Sequence, residues 1–294
     1  MKRFTPLFIT VLLLLTLAAF ASDKNYDRLK KQIPLTHEKN LVVNVSYGNG
    51  FIQVDKTSSK NVFETEVVYR NSRPEIDYEV VGDEGRLRVS FEGKMSKSFR
   101  DNESINVRSF KKLYDNEFYL YLTPQLPMDL TLELGVVKGE LNLGGLKISS
   151  LYLEIGVSQA NINFDQPNPV SMRHCSIEGG VGKLQVRNLG NANIKDFIFQ
   201  GGVGSYVLDF AGEYQQNTHA KIELGMGKLR LYLPEYIGTR IKLSKSFLSS
   251  CSINKVYKDG DNYYNDNWQK TPIQLDMEIN AGIGKVDVIW VNKE

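Results

Sequence analysis

The stretch EGGVGKLQV at residues 178–186 belongs to one of six copies of a single pattern, and this repetition decides the fold. We number the copies units 1 to 6: LELGVVKGELNL (132–143), LEIGVSQANINF (153–164), IEGGVGKLQV (177–186), FQGGVGSYVLDF (199–210), IELGMGKLRLYL (222–233) and INAGIGKVDVIW (279–290). They align on Gly135, Gly156, Gly180, Gly202, Gly225 and Gly282, at intervals of 21, 24, 22, 23 and then 57 residues. A period of this length is typical of stacked supersecondary units.

Each unit alternates apolar and polar residues, which is typical of a half-buried strand. Two apolar columns are expected to point inward. One stands six residues after the aligned glycine (Leu141, Ile162, Val186, Leu208, Leu231, Val288), and one stands a single residue after it (Val136, Val157, Val181, Val203, Met226, Ile283). If Val181 and Leu184 both face inward, three positions apart, the chain must turn a corner between them. Glycine suits such corner positions because it adopts positive φ at little cost.

Two strands joined at a glycine corner every 22 or so residues fit one coil of a β-solenoid. An antiparallel meander is the alternative. Every unit keeps the same polarity and the same chemistry at each column, however, and this favours parallel stacking. We therefore predict an all-β, single-stranded parallel β-solenoid preceded by an N-terminal β segment.

Three regions are expected along the chain. Residues 1–21 form a signal peptide, residues 22–117 an N-terminal β segment with a polar loop, and residues 118–294 the repeat domain, with an insertion at about 246–276. Smaller features are expected within them: a helix at 26–32, a diverged early unit at 41–54, strands at 61–69 and 85–93, a turn at 81–85, and a closing strand KVDVIWVNKE at 285–294.

The glycines before Lys183 also suggest a phosphate-binding loop. A P-loop requires a glycine five residues before Gly182 and a Ser or Thr after the lysine, but Ile177 and Leu184 occupy these positions. The segment that follows is strand-like, so no helix N-terminus is available to bind a phosphate. We therefore predict no nucleotide and no other cofactor.

Two columns of polar and charged residues are expected on the outer face. The acidic column stands two residues before the aligned glycine (Glu133, Glu154, Glu178, Gln200, Glu223, Asn280), and the basic column three residues after it (Lys138, Gln159, Lys183, Ser205, Lys228, Lys285). Unit 4 is neutral in both columns, which indicates that they compensate one another across the corner. A charge-balanced face is the interpretation we favour, and a ladder that binds cations or glycan is the alternative.

Nucleic acid is not expected as a partner. The chain has 36 Lys and Arg against 34 Asp and Glu, and removing residues 1–21 leaves 34 of each. Binding to phosphates requires a basic surplus or a dense basic face. The most basic segment, residues 94–112, also contains acidic residues and is interpreted as a solvated loop.

No catalytic set and no metal site is predicted. The chain has three histidines, His37, His174 and His219, and none of them has another metal-ligating residue at the usual spacing. His174 and Cys175 are adjacent, so on a strand they would point to opposite faces. With only Cys175 and Cys251 the chain is not a disulfide scaffold. Cys175 is expected to be a buried free thiol, and a disulfide between the two cysteines in an oxidising compartment is the alternative.

The insertion interrupts the repeat with YKDGDNYYNDNW at 257–268. Its aromatic residues Tyr263, Tyr264 and Trp268 are the candidate ligand contacts. They would either stack on sugar rings or cover the end of the core, and covering is the interpretation we favour. If the protein were instead a carbohydrate-active enzyme, Asp209, Asp259 and Asp261 would be the acids to test.

The first residues, MKRFTPLFITVLLLLTLAAFAS, combine a basic start, an apolar run and an A-x-A site, as secretory signals do. The apolar run is shorter than the roughly 20 residues that span a bilayer, and an uncleaved anchor is the alternative. We expect an exported protein of the periplasm or cell surface, without a transmembrane span once the signal is removed.

The units resemble the bacterial toast-rack domain family, which includes adhesin-like and envelope-stress-associated proteins. The resemblance covers residues 118–245 and the final unit, through the G-V-G-K/E corners, the LGNAN turn at 189–193 and the Leu-Pro ending at 233–234. It implies a parallel β fold stacked like slices and a bacterial source, and it brings no catalytic residues. We predict a non-catalytic, adhesin-like envelope protein whose partner is another envelope protein or a glycan. A carbohydrate-active enzyme and a periplasmic partner in envelope-stress sensing are the alternatives.

Overall fold

The structure, a computed structural model, describes residues 26–70, 72–91 and 116–292. The described residues form sixteen strands and one short 3-10 helix at Leu189–Ala192, which confirms the predicted all-β class. The strands are β1 (Asp27–Pro34), β2 (Asn40–Lys56), β3 (Asn61–Tyr69), β4 (Glu75–Val81), β5 (Glu84–Phe91), β6 (Glu117–Leu122), β7 (Pro127–Asn142), β8 (Lys147–Asn163), β9 (Met172–Arg187), β10 (Ile194–Asp209), β11 (Thr218–Pro234), β12 (Gly238–Lys245), β13 (Ser249–Ser252), β14 (Tyr257–Asp259), β15 (Asn262–Tyr264) and β16 (Gln274–Val291). The predicted signal peptide at 1–21 and the predicted loop at 94–112 lie outside the described residues.

The middle of the sheet is a parallel stack of long, bent strands. β2, β7, β8, β9, β10, β11 and β16 are neighbours in this order, and each pairs with the next in parallel. Their registers place equivalent positions of the six units side by side, for example Val181 beside Val203. β2 joins the stack in the same register, so the predicted early unit at 41–54 is confirmed.

The sheet as a whole is mixed, so a uniform parallel solenoid describes only its middle. Antiparallel pairs β1–β3, β3–β6 and β4–β5 lie at one end, and β12–β15 and β14–β15 at the other. β3 coincides with the strand predicted at 61–69, and β5 covers most of the strand predicted at 85–93.

Each bent strand has two arms that enclose the core. In β10 the first arm buries Phe197, Phe199 and Gly201, and the second arm buries Tyr206 and Leu208. Five positions separate Gly201 from Tyr206, and this odd interval means that the alternation breaks at the corner between them. The core therefore lies inside the bend.

The corner leaves one predicted inward column outside. Val157, Val181, Val203, Met226 and Ile283 stand one residue after the aligned glycine, and their exposed fractions lie between 41% and 51%. The prediction that this column faces the core is wrong. The buried side chain nearest the corner stands instead one residue before the aligned glycine, as Leu134, Ile155 and Leu224 do.

The aligned glycines allow neighbouring strands to approach at the corner. A Cβ atom added to Gly156 would lie 2.8 Å from the carbonyl oxygen of Gly135, and one added to Gly225 would lie 2.8 Å from that of Gly202. Gly227, two residues further on, has a φ of +130°, which side chains with a Cβ rarely adopt.

Two strands differ from their predictions at the ends of the sheet. Residues 27–34 form β1, not a helix, because Leu29 and Ile33 pack on the core while Lys30 extends to Glu66 at 2.9 Å. The segment KVDVIWVNKE does not close the stack, since β16 lies between β11 and β12. β12 and the insertion close it instead, through β12, β15 and β14 on one arm and β13 on the other.

Candidate functional site

A row of polar and aromatic side chains crosses the outer face of the first arm at a single register level. We call it the polar–aromatic row. Its paired members, in sheet order from β9 to β14, are His174, Asp196, His219, Asp276, Arg240, Tyr264 and Tyr257. Trp268, which follows β15 in the chain, belongs to the row through its contacts with Arg240 and Tyr264. His174, Asp196, His219 and Asp276 each stand six residues before the aligned glycine of their unit. The parallel register of β9, β10, β11 and β16 therefore places them side by side.

Arg240 connects the acidic and aromatic parts of the row. Its Nε donates a hydrogen bond to Asp276 Oδ1 at 2.7 Å, and Nη2 donates to Oδ2 of the same carboxylate. These bonds raise the pKa of the guanidinium. The guanidinium carbon also lies 5.6 Å from the centre of the Trp268 ring, a distance at which cation–π attraction operates.

Three rings continue the row beyond Arg240. The ring centres of Tyr264 and Trp268 are 5.9 Å apart, and those of Tyr257 and Tyr264 are 6.4 Å apart. Tyr264 and Trp268 are half-buried, whereas Tyr257 is 70% exposed. The face therefore offers aromatic surface beside a paired, fixed guanidinium.

The structure separates the three aromatic residues that the sequence grouped as candidate contacts. Tyr263 packs against the hydrophobic core and pairs with the buried Ile241, and Lys258 Nζ lies 5.2 Å from its ring centre. Tyr264 and Trp268 lie on the outer side with Arg240. Tyr263 thus covers the core, and the other two residues form part of the row.

The histidines of the row lie beside carboxylates. Nδ1 of His174 is 3.8 Å from Asp196 Oδ2, and Nδ1 of His219 is 3.7 Å from Asp276 Oδ2. These are positions for weak, exposed ion pairs when the imidazoles are protonated. Among the described residues, no group of three or more His, Cys, Asp and Glu side chains is arranged to hold a metal ion.

Cys175 and His174 point to opposite faces of β9, as the alternation predicts. Cys175 is buried in the core, and burial raises the pKa of its thiol far above the ordinary value. No disulfide joins Cys175 to Cys251. A nucleophile pair is therefore not formed here.

The acids considered for an enzyme are not brought together. Asp209 ends the second arm of β10 and accepts a hydrogen bond from the backbone of Ala211 at 2.9 Å. Asp259 and Asp261 flank Gly260 in the β14–β15 hairpin. The sheet order places β11, β16 and β12 between β10 and β15, so these carboxylates do not share a groove.

A groove follows the outer side of the corner across β8, β9, β10, β11 and β16. Its volume is about 780 Å³. The acidic column and the aligned glycines of units 2 to 6, with the residues between them, line it, and Ser244 and Ser246 close its end. We call it the corner groove.

Negative charge is concentrated along the corner groove. Glu154 and Glu178 line the groove side by side on β8 and β9, and Glu133 on β7 stands next to Glu154 just beyond its end. Desolvation, and after it the hydrogen bond to Glu154 and the nearby charges of the column, raise the pKa of the Tyr152 hydroxyl.

The basic column does not pair with the acidic column within one molecule. Lys228 and Lys285 lie 3.6 and 2.7 Å from Asp287, while Glu223 pairs with Lys221 at 2.7 Å. In the described part of the chain no ion pair joins the two columns. The predicted compensation across the corner is therefore not made by direct ion pairs.

The family follows from a comparison with known families. The model for the N-terminal domain of toast_rack, DUF2154, matches residues 22–187, more than half of the chain. The chain belongs to the toast-rack family. The resemblance drawn from the repeated units is thus confirmed.

Solved structures similar to this toast-rack protein share little sequence with it. A candidate cell adhesion protein from Clostridium sporogenes is 21% identical, with 90% of this chain and 100% of that chain covered and a TM-score of 0.47. A candidate adhesin from Bacteroides fragilis is 12% identical, with coverages of 90% and 97% and a TM-score of 0.38. A candidate lipid-binding protein from Parabacteroides distasonis is also 12% identical, with coverages of 92% and 98% and a TM-score of 0.29.

No curated protein matches the chain. The described residues of this toast-rack protein contain no helix long and apolar enough to cross a membrane.

Proposed function

We propose that this toast-rack protein is an exported, non-catalytic, adhesin-like protein of the bacterial cell envelope, and that it binds glycan through the polar–aromatic row. The observation that supports glycan binding is the placement of Trp268 between Arg240 and Tyr264, at 5.6 and 5.9 Å, on an outward face. Sugars present both apolar C–H faces and hydroxyl groups. Aromatic rings beside fixed hydrogen-bonding groups complement both features.

The neighbouring polar side chains support the same proposal. Asp276 and His219 continue the row on adjacent strands, so acceptors and donors follow the rings at the spacing of about 4.8 Å between strands. A long saccharide could therefore contact the rings and the polar residues together. The wide separation of Asp209 from Asp259 and Asp261 supports binding without hydrolysis.

Tryptophan fluorescence tests glycan binding directly. The chain has two tryptophans, Trp268 and Trp290, so a Trp290→Phe variant reports on Trp268 alone. We expect polysaccharides extracted from the host envelope to change its emission and to retain the protein on beads. Trp268→Ala in the wild-type background should lose at least about tenfold in affinity, as removal of a central aromatic contact does.

Phe247→Ala is the matched control, because Phe247 is 95% exposed and lies outside the row. It should bind as the wild type does. Equal retention of the wild type and Trp268→Ala would contradict the row as the binding site. Fractionation of the host with crosslinking tests export, and recovery from the cytosol with residues 1–21 intact would contradict that part.

A further inference from the structure

An apolar ridge runs beside the corner groove. It consists of the outward residues one position after each aligned glycine: Val136, Val157, Val181, Val203, Met226 and Ile283. Ser249 of β13 pairs with Gly284, so the preceding residue, Leu248, extends the ridge beyond Ile283. Leu248 is 54% exposed. A continuous apolar column on an outer face is unusual for a monomer and marks an interaction surface.

We propose that two copies of this protein associate through the corner, with the apolar ridge of each copy lying in the corner groove of the other. Along every unit the features follow in one order: the acidic column, the column of aligned glycines (which we call the glycine floor), the apolar ridge and the basic column. A two-fold axis parallel to the stacking direction reverses this order across the interface. The ridge then meets the groove, and the acidic column meets the basic column.

The distribution of charge among the units supports this arrangement. The axis keeps the order of the units, so each unit faces its own copy. Units 1, 3 and 5 carry both an acid and a base, and unit 4 carries neither, with Gln200 and Ser205. Between two copies this places Glu133 opposite Lys138 and Glu178 opposite Lys183. Within one copy these four residues form no ion pair with any described residue, whereas Glu223 of unit 5 pairs with Lys221, and Lys228 pairs with Asp287.

The alternative two-fold axis, across the stack, would place acidic column against acidic column. Like charges that face each other destabilise an interface. The missing side chains of the glycine floor also favour the first arrangement, because the floor offers a channel directly beside the ridge. A second copy is therefore the partner that matches the corner in both shape and charge.

The size of the surface sets the expected strength. Seven ridge residues at about 4.8 Å span roughly 29 Å, and the five steps of about 3.3 Å from the acidic to the basic column give a width of roughly 16 Å. This footprint of about 460 Å² per copy is little more than half of the roughly 800 Å² of a standard interface. We therefore expect a reversible dimer that forms between about 10 and 500 µM.

Sedimentation velocity over that concentration range, on the purified protein, is the primary test. The wild type should shift from monomer to dimer, and the shift should weaken at high salt because the ion pairs are exposed. Val203→Ser/Met226→Ser should remain monomeric. Ile198→Ser is the matched control, since Ile198 is 40% exposed on β10 but lies outside the ridge, and it should dimerise as the wild type does.

A charge swap identifies the geometry. Lys138→Glu/Lys183→Glu makes both columns acidic, and Glu133→Lys/Glu178→Lys makes both basic, so each variant alone should stay monomeric. An equimolar mixture should regain the dimer. Circular dichroism confirms that each variant is folded.

Three results would overturn the proposal: a monomeric wild type at every concentration, an unchanged dimer in Val203→Ser/Met226→Ser, or a mixture that fails to associate. If the wild type forms no dimer and the ridge variants lose binding to glycan or to lipid vesicles, the ridge is the binding surface for that ligand and self-association is rejected. Arg240 in the polar–aromatic row lies four residues from Ser244 at the groove end, about 13 Å along β12. Trp268→Ala should therefore leave the dimer intact, and the two proposals fail independently.

Discussion

In units 1 to 4 the core near the corner contains two residues whose sizes complement one another. In units 1 and 2 the residue before the aligned glycine is large, Leu134 or Ile155, and the residue four positions after that glycine is small, Gly139 or Ala160. In unit 4 the order is reversed, and Gly201 faces Tyr206. A Cβ added to Gly201 would lie 2.8 Å from a Tyr206 ring carbon.

Placing the large residue at position 201 and the small one at position 206 should restore much of the stability that each single substitution loses. Tyr206→Ala removes a buried ring and should cost about 3–5 kcal/mol. Gly201→Leu alone overpacks the site and should cost about 1–3 kcal/mol. In the double variant the leucine side chain would occupy part of the space that the Tyr206 ring leaves. We expect a total cost of about 2–4 kcal/mol, and therefore a coupling of roughly 2 kcal/mol or more.

Urea denaturation of the wild type, the two single variants and the double variant, followed by circular dichroism, completes a double-mutant cycle. Tyr206→Phe is the control for the hydroxyl, which donates to the carbonyl oxygens of Gly179 and Gly180, both at 3.1 Å. It should cost about 1 kcal/mol. Single costs that add to within about 0.5 kcal/mol in the double variant would refute the complementarity of the two positions.

Three further outcomes are expected. Gly227→Ala should lower the free energy of unfolding by at least about 1 kcal/mol, measured by urea denaturation, because its φ is +130° and its Cβ would meet the carbonyl of the preceding strand. In a Cys251→Ser background, Cys175 should react with a thiol reagent only after unfolding, since burial raises its pKa; rapid labelling of the native protein would contradict this. Burial acts to raise the pKa of Glu38, but hydrogen bonds, above all from Tyr78, lower it overall. The stability that this carboxylate contributes is therefore present above its unfolded-state pKa and is lost as the pH falls through its folded-state pKa. Glu38→Gln should accordingly make the melting temperature less dependent on pH in thermal melts between about pH 3 and 7.

The sequence predicts the parallel middle of the sheet well, because equal chemistry in every column requires equal register. Its error at the corner has a local cause. Val181 and Lys183 are two residues apart and share a face whenever no break lies between them. The lysine, which must face water, was therefore the signal that Val181 also faces outward. The break lies earlier, around Gly180.

The polar–aromatic row was only partly visible in the sequence. His174, Asp196, His219 and Asp276 all stand six residues before an aligned glycine, and the repeat could have revealed them as one column. Arg240 and Tyr264 could not be found in this way. They belong to the segment inside the 57-residue interval, which has no unit of its own, and only the pairing of β12 with β16 and β15 brings them to the row.

The position of β16 has a consequence for how the chain is made. β16 is synthesised after β11 and β12, yet it lies between them in the sheet. Until Gln274–Val291 has emerged, β12 has no place on the sheet, and the edge of β11 is open. The chain therefore cannot complete its core from the N-terminus onward, and this end of the sheet remains incomplete until β16 has been made. A chain truncated after residue 273 should be protease-sensitive throughout residues 238–273 and resistant in the stack before β11. Under the export proposed above, translocation would act on a chain whose sheet stays incomplete until β16 has been made.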